Sequence, residues 1–167
     1  MAGERAGARP YQSGQLEKPY EQTNKLFEKL FRSRANRPYC MWGAIQGLKL
    51  AKVLGLAKVS FIEFGVAGDL GLLDLEEIAA TLKPVFGIAI EVHGFDSGIG
   101  LPKPTDYRDM PNAWREGFYP MDQLHIGPVE ETVIGSMESR PAPFAFISFD
   151  LDHYTSTVQA STSFLRR

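Results

Sequence analysis

Val59-Ser60-Phe61-Ile62-Glu63-Phe64-Gly65-Val66-Ala67-Gly68-Asp69-Leu70-Gly71 reads as a buried strand that breaks at Gly65 and gives way at once to a helix. Glycines at 65, 68 and 71 let the backbone turn tightly and come close to a ligand. The first turn of the helix behind them offers unpaired N–H groups to an anion or a carboxylate. That geometry suits a nucleotide cofactor. The spacing is Gly-x-x-Gly-x-x-Gly, however, and not the Gly-x-Gly-x-x-Gly of dinucleotide binders, so taken alone it fits a merely tight strand-to-helix turn equally well.

Downstream of this stretch, strands and helices alternate. A helix is predicted from about Asp69 to Leu82, with Leu72, Leu75, Ile78, Ala79 and Leu82 turned inward and with Pro84 and Gly87 closing it. A strand follows over Ile88 to Phe95 and delivers Asp96 at its end. Ser97 to Gln123 is a long polar segment rich in Gly, Pro and Asp, with Tyr107, Trp114, Phe118 and Tyr119 set into it; loops of this length in compact domains are functional or disordered. The aromatics between Pro102 and Met121 fit either a lid over a bound acceptor or anchors that hold the loop to the core. A short strand at Leu124 to Ile126, a helix at Val129 to Met137 and a hydrophobic strand at Phe144 to Phe149 complete the series, and that last strand runs into Asp150-Leu151-Asp152.

Upstream, residues 1 to 18 lack periodicity and mix Gly, Pro, Ser and charge. Leu26, Phe27, Leu30 and Phe31 then fall at helical spacing between Tyr20 and Phe31, and Met41, Ala44, Ile45 and Leu48 share a face of a second helix over Met41 to Leu54. The expected organisation is a flexible leader over 1–18, an N-terminal helical segment over 19–56 and an α/β, Rossmann-like cofactor-binding domain over 57–167, ending after its fourth strand. Strands alternating with helices make a parallel sheet with right-handed crossovers, and such sheets hold ligands at the carboxyl ends of their strands. All three polar clusters of the sequence fall at such ends.

Those clusters differ in what they can do. Behind Glu63 lies the glycine turn. Asp96, at the end of the next strand, stands where nucleotide folds accept both hydroxyls of a ribose, or is a plain loop-solvating residue. Asp150 and Asp152, two apart, can share a divalent cation, or one can ligate while the other takes a proton from a hydroxyl; His153 is the rival base. The plain structural alternative has Asp152 capping a helix from about Tyr154 with His153 in water. His93 and His125 are read as structural.

Composition narrows the classes further. A net charge of −2 from 18 basic and 20 acidic side chains provides no basic surface for nucleic acid or for an anionic membrane. Cys40 is the only cysteine, which rules out an internal disulfide and a cysteine-built zinc site and suits a reducing, cytoplasmic setting. Neither a signal-peptide core nor a membrane-length apolar run is present.

In order, Glu63 to Gly68 with its leucine-rich helix, Gly94-Phe95-Asp96-Ser97-Gly98-Ile99-Gly100-Leu101-Pro102, Gly127-Pro128-Val129-Glu130-Glu131-Thr132 and Asp150-Leu151-Asp152-His153-Tyr154-Thr155-Ser156-Thr157 resemble the macrocin O-methyltransferase family, from about Val59 onward. The resemblance implies a class I methyltransferase fold, S-adenosylmethionine as donor, a divalent metal, usually magnesium, and a small hydroxylated acceptor such as a sugar of a natural product. It implies that Glu63, Gly65 and Gly68 wrap the methionine end of the cofactor, that Asp96 holds its ribose, that Val66, Ala67, Ser97 and Asp150 also belong to the cofactor site, and that Asp150 ligates the metal. Asp152, matching the second acid of the family's Asp-Gly-Asp, becomes the general base, with His153 as its rival.

Leu151 and His153 depart from the family, which has glycine and an apolar residue there, and the family's later strands and second acidic pair are missing. The expected consequence is an open edge at Phe144 to Phe149, with marginal stability or self-association. Two alternatives stand beside the methyltransferase: a non-catalytic, cofactor-binding remnant, and a haloacid-dehalogenase-like phosphatase with Asp150 as nucleophile and Asp152 as acid. A manganese-dependent nucleotide-sugar transferase would leave the glycine turn and Asp96 unexplained. An NAD-dependent oxidoreductase is disfavoured by the glycine spacing and by the 31 positions from Gly65 to Asp96.

Overall fold

In the computed structural model, which describes residues 25, 28, 37–66, 70–99, 123–139 and 141–163, the stretch around Glu63 is a strand followed by a helix. The chain divides into two compact units, Met1–Arg34 and Ala35–Arg167. In the first, Lys25 and Glu28 are helical and exposed. In the second, α1 (Pro38–Val53), β1 (Lys58–Phe64), α2 (Leu70–Phe86), β2 (Ala89–Asp96), β3 (Leu124–Ile126), α3 (Val129–Glu138), β4 (Phe144–Phe149) and α4 (Tyr154–Ser163) follow in order. The expected leader over 1–18, the rest of the helix over 20–31 and the aromatic segment over 102–121 lie outside the described residues, as do Ala67 and Gly68.

All four strands are parallel, in the order β3-β2-β1-β4. The chain is therefore α/β and Rossmann-like, as the alternation of elements predicts. Because β1 is central, both its faces need cover, and every residue from Val59 to Phe64 is buried. Each of its large apolar side chains contributes roughly 1.5–3 kcal/mol by leaving water. Period-two alternation divides them between two layers. Phe61 meets Phe146 edge to face, on the side where Gly43 of α1 also meets the Phe146 ring. Ile62 and Phe64 join Phe95, Val133 of α3 and Ala160 of α4 on the other.

Helix α1 comes close to β4 through two glycines one turn apart. A Cβ on Gly43 would meet the Phe146 ring, and one on Gly47 would run into the Ala145 carbonyl. The register of β4 on β1 shifts at this point, with Ser60 opposite Phe144 and Phe61 opposite Phe146, so Ala145 is the extra residue of a bulge. This contact joins α1 to the sheet within the unit Ala35–Arg167.

Pro84 does not close α2; it lies inside the last turn, and the helix runs to Phe86. Pro84 has no N–H to donate to the Ala80 carbonyl, and Ala80 and Pro84 both face solvent, so the loss falls at an exposed position. Gly87 makes the stop, with φ of +67° and its N–H donated to the Lys83 carbonyl at 3.0 Å. Strand β4 is an outer strand of the described sheet, and Phe149 at its end is 42% exposed.

Candidate functional site

The order of strands runs outward from β1 through β2 to β3 and then jumps back to β4 on the other side of β1. The reversal leaves a crevice above the carboxyl ends of β1 and β4, the place where open parallel sheets hold ligands. Glu63, next to last in β1, and Asp150, directly after β4, stand on its two sides.

Gly65 makes the turn out of β1 with φ of +84°, a conformation that favours glycine. A Cβ there would also strike the Asp150 carbonyl, so backbone from β1 and backbone from β4 pass in close contact. The parallel ladder continues beyond the strands: Gly65 N–H donates to the Phe95 carbonyl and Asp150 N–H to the Phe64 carbonyl, each at 2.9 Å.

Asp96 fastens the turn. Its Oδ2 accepts the Val66 N–H at 2.9 Å and its Oδ1 accepts the Gly98 N–H at 2.7 Å. Ser97 is exposed beside it, with its hydroxyl accepting the Ile99 N–H at 3.4 Å.

Glu63 is 1% exposed, and its counterion is Arg37, the residue that precedes the Pro38 start of α1. Arg37 Nη1 donates to Glu63 Oε1 at 2.5 Å, and Nη2 donates to Asp150 Oδ2 at 2.9 Å. One guanidinium thus bridges the two sides of the crevice. Gly71, in the first turn of α2, makes room for it, since a Cβ there would meet both Glu63 Oε1 and the guanidinium. Glu63 Oε2 is buried and has no hydrogen-bond partner among the described residues.

The two partners of this ion pair respond differently. Burial alone would lower the basicity of Arg37, but the charge and hydrogen bond of Glu63, and then the charge of Asp150, raise it. For Glu63 burial is the largest influence and pushes its pKa up to about 7 against the opposing pull of Arg37. The carboxyl is the more deeply buried of the two, so desolvation prevails there.

The structure brings Glu63, Gly65, Val66, Asp96 and Asp150 to one place. Asp152 is exposed, and the His153 carbonyl accepts the Thr157 N–H at 3.1 Å, so α4 opens directly behind His153. Among the described residues no hydrogen bond or ion pair joins Asp152 or the His153 ring to the rest of the cluster. Arg37 went unrecognised in the sequence. A buried acid at a strand end demands a counterion, but nothing in the spacing selects Arg37 among 18 basic residues.

The residues fit an adenosylmethionine-like ligand in two respects: a buried acceptor at Glu63 Oε2, and a carboxylate at Asp96 already fixed to the turn after β1. They do not fit the divalent metal expected at Asp150. A side-chain oxygen of Asp150 accepts from a guanidinium, and among the described residues no group of three or more His, Cys, Asp and Glu side chains is placed to hold a metal ion.

The remaining histidines face the opposite layer. His125 Nε2 lies 3.3 Å from His93 Nδ1, and His125 also stacks on Phe95. Burial first, and His93 second, lower the pKa of His125. No helix among the described residues is long and apolar enough to cross a membrane. Comparison with protein families, with curated proteins and with solved structures finds no match.

Proposed function

We propose that this chain binds S-adenosylmethionine across the carboxyl ends of β1 and β2 and transfers its methyl group to a hydroxyl of a small acceptor, as a class I methyltransferase resembling the macrocin O-methyltransferase family. The observation that carries the reading is the pair of hydrogen bonds that Asp96 accepts from the Val66 and Gly98 N–H groups, which hold a carboxylate at the end of β2 against the turn after β1, where nucleotide folds read a ribose.

The cofactor, when bound, supplies a methyl group already activated on a sulfonium, so the protein has to align an oxygen with it and help remove a proton. Glu63 Oε2 is the buried acceptor that meets the ammonium of the methionine end. Asp96 takes the ribose hydroxyls. Asp152, exposed two residues beyond Asp150, takes the proton of the acceptor hydroxyl, with His153 as the competing base. A positioned general base contributes about 10²–10⁴-fold. Asp152→Asn therefore lowers kcat by that factor, while His153→Ala leaves most activity in place; the reverse result moves the proton to His153.

Calorimetric titration of the 167-residue chain with S-adenosylmethionine tests the reading, with Asp96→Ala in parallel. Saturable binding that the variant loses is the expected outcome. Binding without transfer to any hydroxylated acceptor leaves the cofactor-binding remnant, and a folded protein that does not bind at all sinks the assignment. Turnover of an aryl phosphate would instead favour Asp150 as a phosphatase nucleophile.

A further inference from the structure

We propose that Arg37 is the cation of this site: its guanidinium occupies the position beside Asp150 in which a metal-dependent enzyme of this fold would hold a divalent ion, and the chain works there without one. The inference rests on the reading that the carboxyl ends of the sheet around β1 hold the ligand, and deepens it by specifying where the positive charge on the β4 side comes from.

Three observations converge on Arg37. Its two terminal nitrogens are divided between two carboxylates, Glu63 at 2.5 Å and Asp150 at 2.9 Å, so a single planar group bridges both. The space for it is built in, because Gly71 lies where any side chain would displace the guanidinium. The direction of Asp150 is also constrained, since its N–H is tied to the Phe64 carbonyl and its carbonyl is packed under Gly65. A hard divalent ion needs about six oxygen ligands, and here Asp150 Oδ2 already accepts from the Arg37 guanidinium.

The consequence is positional. Arg37 immediately precedes the proline that starts α1, so the same contact that compensates Glu63 and Asp150 anchors the N-terminal end of that helix over the crevice. Arg37 is a positioning residue in this scheme. It directs the Asp150 carboxylate and leaves Glu63 Oε2 as the acceptor for a ligand. Lysine would have to serve both carboxylates from one nitrogen on a flexible stem, without the planar fork that gives each its own donor.

The test is Mn²⁺ binding, followed by electron paramagnetic resonance of the free ion, to the full chain and to Asp150→Asn and Arg37→Gln variants, with circular dichroism recording that each is folded. S-adenosylmethionine is titrated in the same buffers. The expected result is no Asp150-dependent Mn²⁺ binding by the wild-type chain below about 1 mM, a range typical of weak carboxylate sites. In Arg37→Gln, two carboxylates without a counterion acquire Mn²⁺ affinity at least about tenfold above wild type. Saturable binding by the wild type that Asp150→Asn abolishes overturns the proposal, and so does an Arg37→Gln variant that binds Mn²⁺ no better than wild type. Binding that survives Asp150→Asn belongs elsewhere and leaves the assignment standing. If Arg37→Gln does not fold, the comparison of wild type with Asp150→Asn decides alone. Failure to bind S-adenosylmethionine would remove the methyltransferase reading without altering any metal arm.

Discussion

The Val66 N–H donates to Asp96 Oδ2 over 2.9 Å, which joins the turn after β1 to the end of β2 by a side chain and not by the sheet ladder. A single carboxylate, accepting from Gly98 as well, thereby fixes the local geometry of two loops. Stability and ligand binding are coupled at this residue.

Asp96→Ala removes two charge-assisted hydrogen bonds at a half-buried position. A loss of roughly 2–3 kcal/mol in chemical denaturation is expected, together with at least about a tenfold loss of S-adenosylmethionine affinity. Asp96→Asn keeps one accepting oxygen and falls between wild type and Ala in both measurements. An Ala variant as stable as wild type would show that the turn does not depend on this carboxylate.

Glu63 has an opposite signature in pH. A carboxyl whose folded-state pKa is raised from 4.5 to about 7 gives its full stabilisation below the unfolded value and loses it as pH rises through the folded value. Thermal stability should therefore decline between about pH 5 and pH 8, by an amount on the order of 3 kcal/mol if the whole shift is expressed. Glu63→Gln removes that slope. Melts of the two proteins across this window check it, and parallel curves would place the titration elsewhere.

Glu91 acts on the acid side. Burial alone would raise its pKa, but hydrogen bonds from Lys58, the Ala142 N–H and Ser60 bring it down to about 2. Its stabilisation is complete above the unfolded value of 4.5 and is lost as pH falls toward about 2. Glu91→Gln should flatten the acid-unfolding limb while leaving the decline between pH 5 and pH 8 as it is in wild type. An acid limb unchanged in the variant would remove Glu91 from this role.

Gly47 and Gly135 are both helical glycines with opposite expected effects. Gly47→Ala forces a methyl group into the Ala145 carbonyl and costs about 1–3 kcal/mol, the usual range for overpacking. Gly135 has nothing within 4 Å of an added Cβ, so Gly135→Ala gains roughly 0.5–1 kcal/mol from helix propensity. Urea titrations of the two variants suffice. Equal effects would mean that α1 does not approach β4 this closely.

Local pattern was enough for the elements and their order. The run from Val59 to Phe64 is apolar almost throughout because β1 is buried on both faces, and the polar residues that end β1, β2 and β4 mark where the chain leaves the core. From these, Glu63, Gly65, Asp96 and Asp150 could be placed at strand ends, and a parallel sheet brings such ends to one rim whatever the order of its strands. What the sequence did not disclose involves contacts between residues far apart in the chain. Arg37 and Asp150 are separated by 113 positions, and Gly47 and Ala145 by nearly as many. No period or spacing encodes which cation neutralises a buried acid or which helix is to lie on which strand. Those choices depend on close packing and on the requirement that a buried charge be compensated, and both are settled only when the whole unit is assembled.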